Sequence, residues 1–171
     1  VVIPEYIGEY SVVSIGESAF SYQAKGIRKE VREIRKEITS IIIPRNVRSI
    51  GDKAFLRCDS LTTVTIQQGV TSIGDEAFWF CGNLKTVTIP GSVTSIGRNV
   101  FSLCRNLSDV TIQQGVTSIS NGMFSHCEKL NNITIPESVT HIDDYAFLDC
   151  VSIRTITIPH KVTNIGNNAF F

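Results

Sequence analysis

The stretch TVTIQQGVTSIGDEAFWFC, residues 63–81, returns in close variants along the chain, and its spacing decides the fold. Aligned on its first phenylalanine, the series Phe55, Phe78, Phe101, Phe124, Phe147 and Phe170 falls at one constant interval. Other columns keep the same interval: Cys58, Cys81, Cys104, Cys127 and Cys150; Leu61, Leu84, Leu107, Leu130 and Ile153. So do Val64, Val87, Val110, Ile133 and Ile156, then Ile66, Ile89, Ile112, Ile135 and Ile158. Past the turn come Val70, Val93, Val116, Val139 and Val162, and Ile73, Ile96, Ile119, Ile142 and Ile165.

A period of about 23 residues with Leu-x-x-Val-x-Ile at its centre lies in the leucine-rich repeat range. Each such unit supplies a short strand and buries its apolar side only by stacking on its neighbours. Ankyrin, tetratricopeptide and WD40 periods are longer, which excludes those arrays. Within one unit Val87-Thr88-Ile89 alternates, so Val87 and Ile89 point inward while Thr86 and Thr88 point out. Pro90, with no N–H for a ladder, ends the strand, although Gln67 and Gln113 take its place in two coils. Val93 to Gly97 reads as a second short extended piece closed by a glycine turn. In the following Asp-x-Ala-Phe segment, Asp75 is positioned to cap a short helical turn that packs Ala77 and Phe78 inward. The expected fold is therefore a leucine-rich-repeat solenoid, with a parallel β-sheet on one face and short extended and helical segments on the others.

The first 40 residues depart from this period. Phe20 precedes Phe55 by one period and about half of another, and the excess coincides with Ile27, Val31, Ile34 and Ile38 at helical spacing. An amphipathic helix is expected over about 25–37, while residues 41–171 form regular repeats, the last one incomplete. Five extra residues separate Pro4 from Val12 in what reads as one further coil. A start at Val1 rather than Met, and an end within a repeat, read as a piece of a longer protein.

Composition narrows the function. Sixteen basic residues balance sixteen acidic ones, so no global field draws nucleic acid. No apolar run approaches the roughly 18 residues of a membrane span, so this segment is not expected to insert. The five cysteines stand in one column, where parallel side chains are poorly directed for disulfides and better read as buried filling. No C-x-x-C occurs and the three histidines occupy different columns, so no metal site, catalytic group or cofactor site is expected. Asp75, Asp143 and Asp144 lie at turns, where capping accounts for them.

Function then falls to the surface. The outward sheet positions are Thr63, Thr65, Thr86, Thr88, Asp109, Thr111, Asn132, Thr134, Thr155 and Thr157. A second surface gathers Leu56, Trp79, Phe80 and Leu103 just after the phenylalanine column, an apolar group of the kind that marks interfaces. Asn106-Leu107-Ser108 and Asn132-Ile133-Thr134 are glycosylation sequons for a eukaryotic secreted protein.

The segments LKTVTIPGSVTSIGRNVFSLC and LNNITIPESVTHIDDYAFLDC resemble the BspA-like, or Treponema pallidum-type, leucine-rich repeats. The resemblance covers Ile41 to Phe171 and implies a non-catalytic protein-binding module of a surface or secreted protein. Its implied partners are host or matrix glycoproteins such as fibronectin and fibrinogen. A structural or intracellular scaffold repeat is the alternative. The matching residues define the frame, and the family has no common contact motif that carries over to numbered positions. Gln67 and Gln113 for proline, Ser120 and Asp143 for glycine, and Val100 and Met123 for alanine depart from its pattern.

Overall fold

A computed structural model describes residues 1–21 and 37–171. Nearly all of the helix expected over about 25–37 therefore lies outside the described residues. The first strands are β1 (Tyr6–Ile7), β2 (Tyr10–Ser11), β3 (Ser14–Ile15), β4 (Ser40–Ile43), β5 (Ser49–Ile50), β6 (Thr63–Ile66) and β7 (Ser72–Ile73). They are followed by β8 (Thr86–Ile89), β9 (Ser95–Ile96), β10 (Asp109–Ile112), β11 (Ser118–Ile119), β12 (Asn132–Thr134), β13 (His141–Ile142) and β14 (Asn164–Ile165).

Because each coil repeats the same alternation, strands stack in register. The principal sheet runs β12-β10-β8-β6-β4, entirely parallel, with Val64 beside Val87 and Val87 beside Val110. Val2 extends it through a parallel bridge to Ile42. The extra residues after Pro4 form the antiparallel hairpin β1-β2, an insertion the period cannot absorb. On the second face the two-residue strands make the ladders β3-β5-β7-β9 and β11-β13-β14. The break between β9 and β11 coincides with Ser120 at a glycine column, where its hydroxyl donates to Gly97 O at 2.7 Å. Asp143 stands in that column with its ladder intact, so losing the glycine does not by itself break the pairing.

Two expectations need correction. No helix occurs among the described residues; the Asp-x-Ala-Phe segments are successive turns. Alternate amides there leave their own coil and bond the next one: Lys53 N to Asp75 O (2.8 Å), Phe55 N to Ala77 O (2.7 Å), Arg57 N to Trp79 O (2.9 Å). A helix spends those amides within its own turn, so this third ladder excludes it. The geometry places Lys53, Glu76, Asn99, Gly122 and Tyr145 in the left-handed region, as it does Arg57, Phe80, Leu103, His126 and Asp149. The second correction concerns Thr155 to Ile158, which repeats the strand pattern but joins no ladder, so the principal sheet ends at β12.

The core is a set of columns. Six contacts stack seven phenylalanine rings, from Phe20 to Phe170, with centroids 4.9–5.8 Å apart and planes within 17°. Each thiol reaches back one coil: Cys81 Sγ donates to Phe55 O (3.2 Å), Cys104 to Phe78 O (3.3 Å) and Cys127 to Phe101 O (3.3 Å). The cysteine column is thus both filling and a hydrogen-bond ladder, each thiol adding a second donor to a carbonyl that already accepts a backbone amide of its own coil, as Phe101 O does from Cys104 N. Burial pushes the Cys81 and Cys127 thiols well up, and Cys150 up to about 12, which removes the thiolate a nucleophile or metal ligand needs.

Carboxylates stitch the coils at the turn. Asp52 Oδ1 accepts from Asp75 N (2.8 Å), Asp75 Oδ1 from Arg98 N (2.8 Å) and Asp144 Oδ1 from Asn167 N (2.6 Å). The Arg98 amide, aided by its guanidinium, holds the Asp75 carboxyl below its usual range. Each such aspartate faces a glycine one coil later: a Cβ at Gly74, Gly97 or Gly166 would lie within 2.6 Å of it. Ser120 and Asp143 replace the glycine where the preceding coil offers Arg98 and Asn121 instead. The Asp and Gly columns are one device.

Candidate protein-binding surface

The principal sheet presents two rows. Thr63, Thr86, Asp109 and Asn132 align in one, Thr65, Thr88, Thr111 and Thr134 in the other. All are exposed except the half-buried Thr88 and Asp109. Thr155 and Thr157 are exposed too, but in the unpaired segment, so they do not extend either row. Asp109 interrupts the threonines with a held charge: Ser108 Oγ donates to it at 2.5 Å and Asn132 Nδ2 at 2.9 Å. Those bonds, Ser108 foremost, lower its carboxyl below the ordinary range. The two rows are polar, made of hydroxyls, the Asn132 amide and the Asp109 carboxylate.

The corner after the phenylalanine column is built differently. The column of Leu56, Trp79, Ser102 and Ser125 lies between left-handed residues and faces inward, as Ser102 (5% exposed) and Ser125 (6%) show. Leu56, at 7%, is therefore buried, which corrects the reading of it as surface. Trp79 is too large for a space that serine fills, and it is left half-buried, as are Phe80 and Leu103. The Trp79 and Phe80 rings meet at 5.6 Å, tilted by 50°. The four residues are neighbours, yet they form a partly packed corner instead of an open apolar patch.

Two residues missing from the sequence reading complete this corner. The Arg57 guanidinium lies 4.8 Å from the centre of the Phe80 ring and that of Arg105 lies 5.9 Å from it. Arg57 stands one period before Phe80, so the repeat itself carried the signal that the two share a column. Arg105 is neutralised by Glu128 at 3.2 Å. Below them the chain is tied by amides: Asn83 Nδ2 donates to Asp59 O (2.7 Å) and Asn106 Nδ2 to Gly82 O (2.7 Å). The Asn106 sequon amide is thus engaged, and that of Asn132 is held by Asp109.

Chemistry of other kinds finds no constellation in this surface. His126 pairs with Asp149 (3.1 Å) while the adjacent Cys127 thiol turns inward to Phe101 O, so the two neighbours diverge. Among the described residues no three His, Cys, Asp or Glu side chains group to hold a metal ion, and no helix is long and apolar enough to cross a membrane.

The sequence matches the BspA type leucine rich repeat region in 6 copies, over residues 25–150 and 95–171. The chain belongs to this family. The BspA-type frame makes it a protein-interaction scaffold and not an enzyme. A leucine rich cell surface protein of Faecalibacterium prausnitzii is 41% identical over 99% of this chain and 44% of its own, with a TM-score of 0.81. A leucine-rich repeat protein of Bacteroides ovatus is 30% identical over 97% of this chain and 47% of its own (TM-score 0.65). The T. pallidum leucine rich repeat protein is 27% identical, over 97% and 72% (TM-score 0.81). The BspA-type chain described here thus spans under half the length of the first two. Comparison with curated proteins finds no match.

Proposed function

We propose that this chain is the recognition segment of a surface-displayed or secreted adhesin, and that its partners are host or matrix glycoproteins. The similar F. prausnitzii protein is described as a cell surface protein, which supports the placement. The observation that carries the reading is the half-buried Trp79–Phe80 corner, set on a frame whose buried columns are accounted for by stacking. Aromatic groups left partly open on a rigid scaffold are the usual anchors of protein interfaces.

Immobilised protein tested by interferometry at physiological salt against fibronectin and fibrinogen decides it. Saturable binding that Trp79→Ala weakens by tenfold or more, the size of about 1.4 kcal/mol, is the expected result. Binding that Trp79→Ala leaves unchanged moves the contact to the threonine rows of the principal sheet. A folded protein that binds neither sinks the matrix-adhesion reading and favours a repeat scaffold that spaces other domains.

A further inference from the structure

Columns that build a coil barely change between repeats, so a surface column that varies marks positions free of the stacking requirement. One such column reads Arg57, Phe80, Leu103, His126 and Asp149, with left-handed backbone throughout (φ 55–61°). Its residues share a backbone and nothing else, and at Phe80 two cations meet a ring. Of those cations Arg105 already has Glu128, whereas Arg57 pairs with no carboxylate among the described residues. A guanidinium laid over a ring covers its apolar face and keeps its N–H donors in its own plane, open to a carboxylate that accepts in bidentate fashion. Trp79 and Leu103 put half-buried apolar surface beside it.

We propose that the Arg57–Phe80 stack is the contact point for an acidic segment of a protein partner. One partner carboxylate seats on the Arg57 edge and an adjoining apolar side chain lies against Trp79 and Leu103. The proposal rests on the protein-binding reading above and narrows it to the partner's chemistry. A polyanionic glycan needs a row of free cations. Here Arg105 is paired with Glu128, Lys129 is bound to Asn106 Oδ1 at 2.6 Å, and the whole chain carries no net charge. Among the described residues of this corner, one free guanidinium flanked by apolar surface fits a protein segment instead.

Trp79 is the sole tryptophan, so its fluorescence reports this corner without interference. Titration of the intact protein with a short peptide alternating Glu and Leu is expected to give a saturable change that added salt weakens. The same peptide with Gln for Glu is expected to give none. Arg57→Gln should weaken binding about tenfold, the size of one charge-assisted hydrogen bond, and Arg57→Lys should fall between. Arg98→Gln, whose guanidinium Asp75 holds on another column, should bind as the parent does. A folded Arg57→Gln protein that binds like the parent overturns the proposal, and so does heparin binding more tightly than the Glu peptide. If fibronectin or fibrinogen binds and the peptide is silent, this site is wrong and the adhesin reading stands. If the peptide binds through Arg57 and neither matrix protein does, the site stands and the adhesin reading falls.

Discussion

The thiol column shows how one residue type can be set by its neighbour's carbonyl. A cysteine follows each core phenylalanine from Phe55 to Phe147 at the same short spacing, and its Sγ serves the phenylalanine carbonyl of the coil before, as Cys127 does for Phe101 O at 3.3 Å. Serine offers the same donor but costs more to bury, and alanine fits but leaves the carbonyl with its backbone donor alone. Burial also links Cys81, Cys127 and Cys150 to pH. The folded thiol keeps its proton above the ordinary value of 9.0, to about 12 for Cys150, while the unfolded thiol loses it near 9. Deprotonation therefore favours the unfolded chain between those values. Stability is fully present below pH 9 and is lost as pH rises through that window, at about 1.4 kcal/mol per pH unit for each of these three thiols. Cys127→Ala should start out less stable at pH 8 by about 1–3 kcal/mol and lose less between pH 8 and pH 10 than the parent does. Urea denaturation at the two pH values measures both, and an equal loss in parent and variant refutes the linkage.

Among the elements, the strands were legible because alternation has a period of two and the structure honours it: Val64, Ile66, Val87 and Ile89 are all buried. The turn face was not. Alanine and phenylalanine after an aspartate look like a helix start, and the left-handed positions hold Lys53, Glu76 and Tyr145, with a glycine only at Gly122. Nothing in a single unit announces that its amides will bond the next coil, since that ladder exists only once coils stack. The corner was half legible for the same reason: Trp79 and Phe80 stand out as aromatic, but Arg57 matters through a neighbour in the next coil, and the burial of Leu56 depends on a column shared with Ser102 and Ser125. The glycines separate the two kinds of information. A Cβ at Gly97 would lie 2.5 Å from Asp75 N, whereas one at Gly82 meets nothing within 4 Å. Gly97→Ala should destabilise the protein by about 2 kcal/mol or more and Gly82→Ala by no more than about 0.5 kcal/mol, read from urea midpoints. Equal costs would mean that the Asp–Gly device does not set the coil spacing.

Across the described repeats, the parallel ladders and the ring stack link each coil to the next, so each coil is stabilised by the coils on either side. The stack of rings makes the consequence measurable. Phe101 lies between Phe78 at 5.3 Å and Phe124 at 5.8 Å and is fully buried, whereas Phe170 contacts Phe147 on one side and is 42% exposed. Truncating either removes an aromatic ring, but only Phe101→Ala opens a void between two coils in mid-array. Its coil is also where the second-face ladder is already interrupted, between β9 and β11, so fewer backbone bonds remain there to carry cooperativity across the gap. Phe101→Ala should cost about 3–5 kcal/mol and split the single unfolding transition, giving a shallower urea slope than the parent's. Phe170→Ala should cost less than half of that and keep the parent's slope. A steep single transition for Phe101→Ala would show that the principal sheet alone couples the two halves, and that the ring column fills the solenoid without transmitting its order.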